Sequence, residues 1–290
     1  MHSTKRNEQP QETDQTARPA LAGLYRASLV TPVFNEEQRL ASTLARLHEY
    51  VTGYRPGSEV LLVLDGCTDG SAEVARRFQE IHGAEYLTII ETSGNRGKGA
   101  AVRLGVERAQ GGVIGFTDAD LPYGTEGVDR ALQCFEAGEP PDVVIGCRDL
   151  PESAFNVRAP LRRRAAGRLY SWLVRATVRP GASDTQCGLK FFRAPIAKEI
   201  FSRVTIPAFG FDVEVMYMAR RNGLCVRRIP VRLVNNHDTS VRLVRDSLTM
   251  FGDLWRIRAN ARAGRYDFAA APRPHGAGEE PTRTHGVKAL

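Results

Sequence analysis

Short apolar runs alternate with amphipathic stretches through the first half of the chain, and this alternation restricts the fold more than any other feature. The apolar runs predict strands at 28–34, 59–64, 86–90, 113–117 and 142–146. The amphipathic stretches predict helices at 40–47, 70–78, 99–109 and 128–135. Strands that alternate with helices form a mostly parallel sheet covered by helices, so the predicted fold class is α/β.

Polar residues come directly after three of the predicted strands. The clusters are Asn35-Glu36-Glu37, Asp65-Gly66 and Asp118-Ala119-Asp120. In open α/β sheets, ligands bind beyond the carboxyl ends of the strands. These clusters therefore predict a single binding site along that edge.

Asp118 and Asp120 are the candidate metal ligands. Residues two apart in an extended chain project from the same face, so both carboxylates can reach one cation while Ala119 points into the fold. Carboxylate oxygens suit Mg²⁺ or Mn²⁺. Taken alone, the triplet is explained equally well as a helix cap that closes a turn. Its place after an apolar strand, in line with two other polar strand ends, favours the metal site.

A glycine-rich loop at 95–101 joins a predicted strand to a predicted helix. Gly97 and Gly99 allow a ligand to approach the backbone, and the helix N-terminus offers N–H groups to a diphosphate or a sugar. The spacing matches neither the dinucleotide-binding G-x-G-x-x-G motif nor the P-loop. A basic loop that only turns the chain is an equally good interpretation of this segment in isolation.

A basic segment at 153–183 interrupts the alternation. It contains no acidic residue and seven arginines, namely Arg158, Arg162, Arg163, Arg164, Arg168, Arg175 and Arg179. Guanidinium groups clamp phosphate oxygens in a bidentate fork, so the segment is predicted to bind phosphate. With Trp172 among them, these arginines favour contact with an anionic membrane over a solvated basic face.

After this segment the alternation of strands and helices returns. Strands are predicted at 188–192 and 226–234, with a helix at 211–220 between them. From 239 to 265, apolar residues recur three and four positions apart beside arginines, which predicts an amphipathic interfacial helix. The polar segments 1–25 and 266–290 are predicted to be disordered tails, which places the catalytic domain at 26–238.

Composition and charge narrow the class of protein. A net charge of +7 favours an anionic partner: a phosphate-bearing substrate, an acidic membrane or nucleic acid. Nucleic acid is not expected, because carboxylates at the predicted cleft would repel its phosphates. Five widely spaced cysteines without a C-x-x-C pair favour a reducing cytoplasm. No apolar run reaches the roughly 18 residues that span a bilayer, so a cytoplasmic protein lying peripherally on the inner face of the membrane is expected.

Taken together, the motifs resemble family-2 inverting glycosyltransferases of the GT-A fold, and within them the branch that acts on polyprenyl phosphates such as dolichyl phosphate. The resemblance runs over nearly the whole chain between its predicted tails. Its most specific part is the stretch Asp184-Thr185-Gln186-Cys187-Gly188-Leu189-Lys190-Phe191-Phe192. Two further matching stretches are Gly146-Cys147-Arg148 and Phe211-Asp212-Val213-Glu214.

The resemblance implies a role for each of these residues. The residues implied to bind the donor nucleotide sugar are Pro32, Asn35, Glu36, Asp65, Gly97, Lys98, Asp118 and Ala119. The metal would be held by Asp118 and Asp120, and His237 is either a third ligand or a turn residue. The acceptor phosphate would be held by Arg148, Arg162, Arg163 and Arg164. The implied catalytic residues are Asp120, Asp184, Lys190 and Glu214.

The implied reaction is transfer of a hexose, with inversion, from a nucleotide sugar to a polyprenyl monophosphate. UDP-glucose is the favoured donor and GDP-mannose the second candidate, with Mg²⁺ or Mn²⁺ as cofactor. The alternative is a soluble glycosyltransferase of the same fold that modifies a small phosphorylated or hydroxylated metabolite.

Overall fold

The computed structural model describes residues 25–153, 184–234 and 243–268, and within 154–183 only residues 172, 174, 176 and 178. Some predicted features lie outside these ranges. They are the tails at 1–24 and 269–290, most of the basic segment, and the candidate ligands Arg162, Arg163, Arg164 and His237.

Strands and helices alternate along the described chain in the predicted order. The strands are β1 (Tyr25–Val33), β2 (Ser58–Leu64), β3 (Leu87–Glu91), β4 (Gly111–Thr117), β5 (Val143–Cys147), β6 (Leu189–Arg193) and β7 (Val226–Pro230). The helices are α1 (Glu37–Glu49), α2 (Ser71–His82), α3 (Lys98–Arg108), α4 (Gly124–Glu136), α5 (Ala194–Arg203), α6 (Phe211–Arg221) and α7 (Leu243–Arg262). A short π-helical turn, Tyr50–Tyr54, extends α1.

The strands form one sheet in the order β3-β2-β1-β4-β6-β5-β7. β1 pairs in parallel with both β2 and β4, β2 with β3, and β5 with β7. The mostly parallel sheet predicted from the alternation is confirmed. β6 is the exception, since it runs antiparallel to β4 and to β5.

The direction of β6 follows from where the chain re-enters the sheet. β5 ends at Cys147, and the next residue, Arg148, donates its backbone N–H to Oδ2 of Asp184 at 2.9 Å. The chain at Asp184 therefore lies at the edge where β5 ends. A strand that begins five residues later, at Leu189, can cross the sheet only in the opposite direction to β5.

Two helical layers bury the sheet. Every residue of β2, β4 and β5 is buried, as expected for strands covered on both faces. α3, α5, α6 and α7 pack on one face, and α1, α2 and α4 pack on the other. Polar side chains are thereby left at the strand ends, which is where the candidate site forms.

The C-terminal helix packs on the domain instead of lying free. Its described side chains Leu254, Ile257 and Ala261 are buried, while Trp255 on the opposite side is 71% exposed. The predicted tail boundary at residue 266 is wrong, because Tyr266 is fully buried and its hydroxyl donates to Glu214 at 2.5 Å. Among the helices described, none is long and apolar enough to cross a membrane.

Candidate active site

The carboxyl ends of β1, β2 and β4 bring three loops to one edge of the sheet. β1 lies between β2 and β4, and the three strands run parallel. The loops that follow them begin at Phe34, Asp65 and Asp118. The structure therefore places the three polar strand-end clusters side by side.

The first two loops are joined by hydrogen bonds. The backbone N–H of Thr68 donates to Oδ1 of Asn35 at 2.8 Å, and that of Gly70 donates to Oε2 of Glu37 at 3.0 Å. Asn35 has a φ of 55°, a left-handed conformation that asparagine adopts more readily than most residues. Asn35 therefore shapes this rim of the cleft through its side chain.

Glu36 lies in the same electrostatic environment as the candidate metal ligands. Burial raises the pKa of Glu36, the neighbouring Arg39 opposes that rise, and the negative charge of Asp120 adds to it. Nη2 of Arg39 lies 2.9 Å from Oε2 of Glu36. The end of β1 and the end of β4 thus contribute carboxylates to one cluster.

Asp65 holds the glycine-rich loop through hydrogen bonds to its backbone. Its two carboxylate oxygens accept the backbone N–H groups of Arg96 at 2.9 Å and Gly97 at 2.7 Å, and Oδ1 also accepts the Thr92 hydroxyl at 3.2 Å. The Asp65 side chain is buried. Its observed contacts are therefore with the loop, and they fix the backbone that leads into Lys98.

Gly97 allows the loop to pass beneath a second segment of chain. It adopts a φ of 95°, and a side chain there would meet the carbonyl oxygen of Pro207 at 2.6 Å. Ala100 donates its backbone N–H to the same carbonyl at 3.1 Å. The first turn of α3 is therefore held between Asp65 and the segment that leads into α6.

Lys98, the first residue of α3, forms an ion pair with Asp118. Its Nζ lies 2.5 Å from Oδ1 of Asp118, and its side chain is 17% exposed. Burial lowers the pKa of Lys98, but the carboxylates of Asp118, Asp212 and Asp120 outweigh that effect, so the pKa is raised. An ammonium group thus lies among three carboxylates.

Asp118 and Asp120 fit a divalent metal. Lys98 is paired with Asp118 and is influenced by the charge of Asp120, which marks a place where a cation is stabilised, and carboxylate oxygens are ligands that Mg²⁺ and Mn²⁺ prefer. In the part of the chain that the structure describes, no three His, Cys, Asp or Glu side chains come together as a metal site. Two carboxylates leave coordination positions for water and for phosphate oxygens of a substrate.

The residues at the start of β6 and just before it, among them Gly188 and Lys190, lie on the other side of the cleft from Lys98. A β-carbon on Gly188 would lie 2.1 Å from Oδ2 of Asp118, so any other residue there would require the Asp118 carboxylate to move. Two residues on, Lys190 forms a fully buried ion pair with Asp212. Nζ of Lys190 also donates to the carbonyl of Cys187 at 2.8 Å. The buried charges of Lys190 and Asp212 therefore neutralise each other within the fold.

Arg148 and Asp184 form a bidentate ion pair beside these residues. Nε of Arg148 donates to Oδ2 of Asp184 at 2.8 Å, and Nη2 donates to Oδ1 at 2.7 Å. Burial would raise the pKa of Asp184, but the Arg148 guanidinium lowers it below its usual value. Arg148 is thereby fixed in orientation at the end of β5.

Glu214 occupies a different environment from the other predicted catalytic residues. It is fully buried, and its carboxylate accepts the backbone N–H groups of Thr205 and Ile206, each at 3.0 Å from Oε2. It also accepts the hydroxyls of Thr205 and Tyr266. The structure does not bring Glu214 to the cleft. Its hydrogen bonds instead connect α6 to the segment before that helix and to the C-terminal turn.

Asp212, two residues before Glu214 on α6, is the acid of this helix that contributes to the charged cluster. Its charge acts on Lys98, and its carboxylate pairs with Lys190. Residues two apart on a helix face different directions, so only one of the two acids could join the cluster. The helical periodicity could have indicated that only one of the two acids faces the cluster. Which of them does so depends on how α6 packs.

Two of the predicted donor-binding residues are positioned through their backbone. Pro32 lies opposite Val63 in the β1–β2 pairing. Ala119 is buried, and its carbonyl accepts the hydroxyl of Thr43 at 2.6 Å. The Thr43 bond ties the metal-ligand loop to α1 and so fixes the separation of Asp118 from the rim formed by β1.

Exposed apolar side chains border the cleft. Phe209, 37% exposed, comes directly before the first turn of α6, which carries Asp212. Val234 is 49% exposed and donates its backbone N–H to the carbonyl of Pro122, in the loop after Asp120. The mouth of this charged cleft is therefore partly apolar.

Comparison with known sequences agrees with this architecture. Residues 28–201 match the family described as Glycosyl transferase family 2. The dolichyl-phosphate β-glucosyltransferase of Drosophila melanogaster is 29% identical over 252 residues, which cover 84% of this chain and 77% of that protein. The human dolichyl-phosphate β-glucosyltransferase is 28% identical over 251 residues, covering 82% and 76%.

Solved structures show the same fold. Glucosyl-3-phosphoglycerate synthase of Mycobacterium tuberculosis, in complex with UDP, aligns with a TM-score of 0.63 over 87% of this chain and 86% of that chain, at 17% identity. The same enzyme with Mn²⁺, UDP-glucose and phosphoglyceric acid gives the same TM-score, coverage and identity. The match over 28–201, more than half of the chain, shows that the protein belongs to glycosyl transferase family 2.

Proposed function

We propose that this glycosyltransferase moves glucose from UDP-glucose to a polyprenyl monophosphate with inversion at the anomeric carbon. The observation that carries the proposal is the pair of carboxylates, Asp118 and Asp120, next to Lys98 at the end of β4. The names of the relatives, matched over more than four fifths of the chain, support the glucosyl donor and the lipid phosphate acceptor.

The donor diphosphate would lie between α3 and the loop after β4. A divalent metal held by Asp118 and Asp120 would neutralise the negative charge that grows on the leaving diphosphate. The N-terminus of α3 and the ammonium of Lys98 supply further positive charge at the same place. Asp65 contributes by holding the loop in the required conformation.

The acceptor requires positioning more than activation. A phosphate monoester oxygen is already anionic at neutral pH, so it can attack the sugar without a strong general base. Arg148, oriented by Asp184, would bind this phosphate, together with Arg162, Arg163 and Arg164 of the basic segment. Attack from the side opposite the diphosphate inverts the anomeric carbon, and the buried Lys190–Asp212 ion pair would hold that side of the cleft in place.

A lipid acceptor also accounts for the apolar surface near the cleft. Phe209 and Val234 border the charged site, where a polyprenyl chain would need an apolar exit.

Peripheral contact with an anionic membrane is supported by Trp172 and Trp255, which are 63% and 71% exposed. A cleft of about 770 Å³ between α6 and α7 is lined by Arg220, Arg258 and Arg262, together with Arg221, which is paired with Asp267.

The alternative acceptor is a small phosphorylated metabolite. It is favoured by the solved neighbour bound to phosphoglyceric acid. Incubation with UDP-[¹⁴C]glucose and each acceptor, followed by butanol extraction, separates the two functions. Label in the organic phase supports the lipid acceptor, and label confined to a phosphorylated product in water supports the metabolite.

The metal assignment is tested with Asp120→Asn. Activity should fall by about a hundredfold or more because the variant removes a charged ligand from the leaving-group side. Asp267→Asn, which removes an exposed carboxylate paired with Arg221, is the matched control and should retain activity. Full activity of Asp120→Asn, or of the wild type after complete chelation, would refute the assignment.

Membrane contact is tested by co-sedimentation with liposomes that contain phosphatidylserine. Each basic residue near an anionic surface contributes about 1 kcal/mol, so Trp255→Ser combined with Arg258→Gln and Arg262→Gln should release the protein at lower salt. Tyr54→Ser removes an aromatic ring that is 72% exposed on the π-helical turn and should have no effect. Equal binding of all the variants would refute the proposed surface.

A further inference from the structure

One oxygen of the Asp118 carboxylate is engaged in an ion pair within the chain, and the other lies close to the backbone of Gly188. Oδ1 lies 2.5 Å from Nζ of Lys98. Oδ2 lies against Gly188, where even a β-carbon would be only 2.1 Å away. A metal ion that binds Oδ1 of Asp118 must therefore displace the ammonium group or share the oxygen with it.

The surroundings of Lys98 and Lys190 show which of the two lysines could change its partner when a ligand binds. Lys190 is fully buried, bound to Asp212 and to the carbonyl of Cys187, and so is committed to the interior. Lys98 stands at the first position of α3, is partly exposed, and neutralises Asp118. A divalent ion bound to Asp118 would lie close to the positive charge of Lys98, so the two cations would repel each other.

We propose that Lys98 is an internal counter-cation that occupies Asp118 until the donor binds, which makes metal binding and nucleotide binding mutually dependent. The inference rests on the proposed metal site at Asp118 and Asp120. The donor diphosphate gives the Lys98 ammonium a new anionic partner at the N-terminus of α3, where phosphate is favoured. Once Lys98 turns to the diphosphate, Oδ1 of Asp118 is released to the metal.

The consequence is a thermodynamic coupling with a defined sign. Without nucleotide, the metal competes with Lys98 and binds weakly. With nucleotide, that competition is relieved, and the affinity for metal rises. By linkage, metal must raise the affinity for UDP by the same factor. A lysine that only helps to hold the diphosphate would leave the metal affinity of the nucleotide-free protein unchanged.

The test measures Mn²⁺ binding directly, by the loss of the free Mn²⁺ signal in electron paramagnetic resonance. Wild type, Lys98→Met and Lys98→Arg are titrated with and without saturating UDP, and melting curves establish that each variant is folded. Arg96→Met is the matched control, since it removes an exposed positive charge from the same loop. A second neutral variant, Lys98→Gln, replaces Lys98→Met if the latter does not fold.

Without UDP, Lys98→Met should bind Mn²⁺ about tenfold more tightly than the wild type, whereas Lys98→Arg and Arg96→Met should stay close to it. UDP should raise the Mn²⁺ affinity of the wild type by about tenfold and that of Lys98→Met much less. Equal or weaker Mn²⁺ binding by Lys98→Met without UDP, in a series where the wild type binds Mn²⁺ with UDP, overturns the inference alone. Absence of Mn²⁺ binding by the wild type with UDP overturns the proposed metal site as well.

Discussion

Replacing Arg148 with methionine should destabilise the folded protein. The guanidinium makes two hydrogen bonds to Asp184, at 2.7 and 2.8 Å, and the Arg148 backbone N–H adds a third at 2.9 Å. The Asp184 side chain is only 9% exposed, so water has little access to replace the lost guanidinium. The variant would leave a nearly buried carboxylate with one backbone donor.

The size of the effect follows from this burial. Removing one member of a buried ion pair costs about 3–5 kcal/mol. The Arg148 side chain is 33% exposed, so solvent screens the pair in part. We therefore expect the lower end, a loss of about 3 kcal/mol in the free energy of unfolding. In a protein of this size the melting temperature should fall by roughly 6–12 °C.

The same ion pair predicts a pH dependence. Burial would raise the pKa of Asp184, but Arg148 lowers it below the usual value of 3.8. A carboxyl with a lowered folded pKa contributes stability above its unfolded pKa and loses that contribution as the pH falls through the folded value. The difference in unfolding free energy between wild type and Arg148→Met should thus be complete at pH 7 and shrink below about pH 4.

Urea unfolding followed by far-ultraviolet circular dichroism measures both effects. Arg76→Met is the control, because Arg76 pairs with Glu91 at 3.0 Å on the surface, where the two side chains are 50% and 47% exposed. That control should lose less than about 1 kcal/mol. If Arg148→Met loses no more than Arg76→Met at pH 7, the pair is effectively solvated and the reasoning fails.

Three further variants test the placement of individual side chains. Gly188→Ala should weaken Mn²⁺ binding in the presence of UDP by about tenfold, because its β-carbon would collide with the Asp118 carboxylate. The control Gly138→Ala, which has open space around it, should leave Mn²⁺ binding unchanged, and equal affinities of the two variants would contradict the close packing at Gly188. Glu214→Gln should lower the free energy of unfolding by about 1–3 kcal/mol but keep the activity per folded molecule, and an inactive folded variant would give Glu214 a direct role. Asp65→Ala should weaken UDP binding by about tenfold in calorimetry because the loop loses its clamp, and an unchanged affinity would exclude that function.

Local pattern was sufficient for much of the fold. The buried runs of β2, β4 and β5 and the amphipathic helices between them were predictable because burial imposes a periodicity on adjacent residues. The polar residues after β1, β2 and β4 were predictable as neighbours because parallel strands end at the same edge. The direction of β6 was not, because it depends on where the chain returns after a long excursion.

The C-terminal boundary shows the same limit. Tyr266 lies in a polar, glycine-containing stretch that predicts a tail, yet it is fully buried. Its hydroxyl donates to Glu214, 52 residues earlier in the chain. A contact over that separation leaves no periodic trace beside Tyr266, so only the packed structure reveals that the fold continues through this turn.

The sequence by itself determined the α/β class, the edge at which the site lies and most of the residue types gathered there. Tertiary structure decided which of those residues contact one another: Asp212 instead of Glu214 with Lys190, and Lys98 with Asp118. The physical reason is that burial periodicity and turn chemistry are local properties of a chain. Ion pairs and hydrogen bonds between distant segments depend on the approach of helices and strands, which single stretches of sequence do not encode.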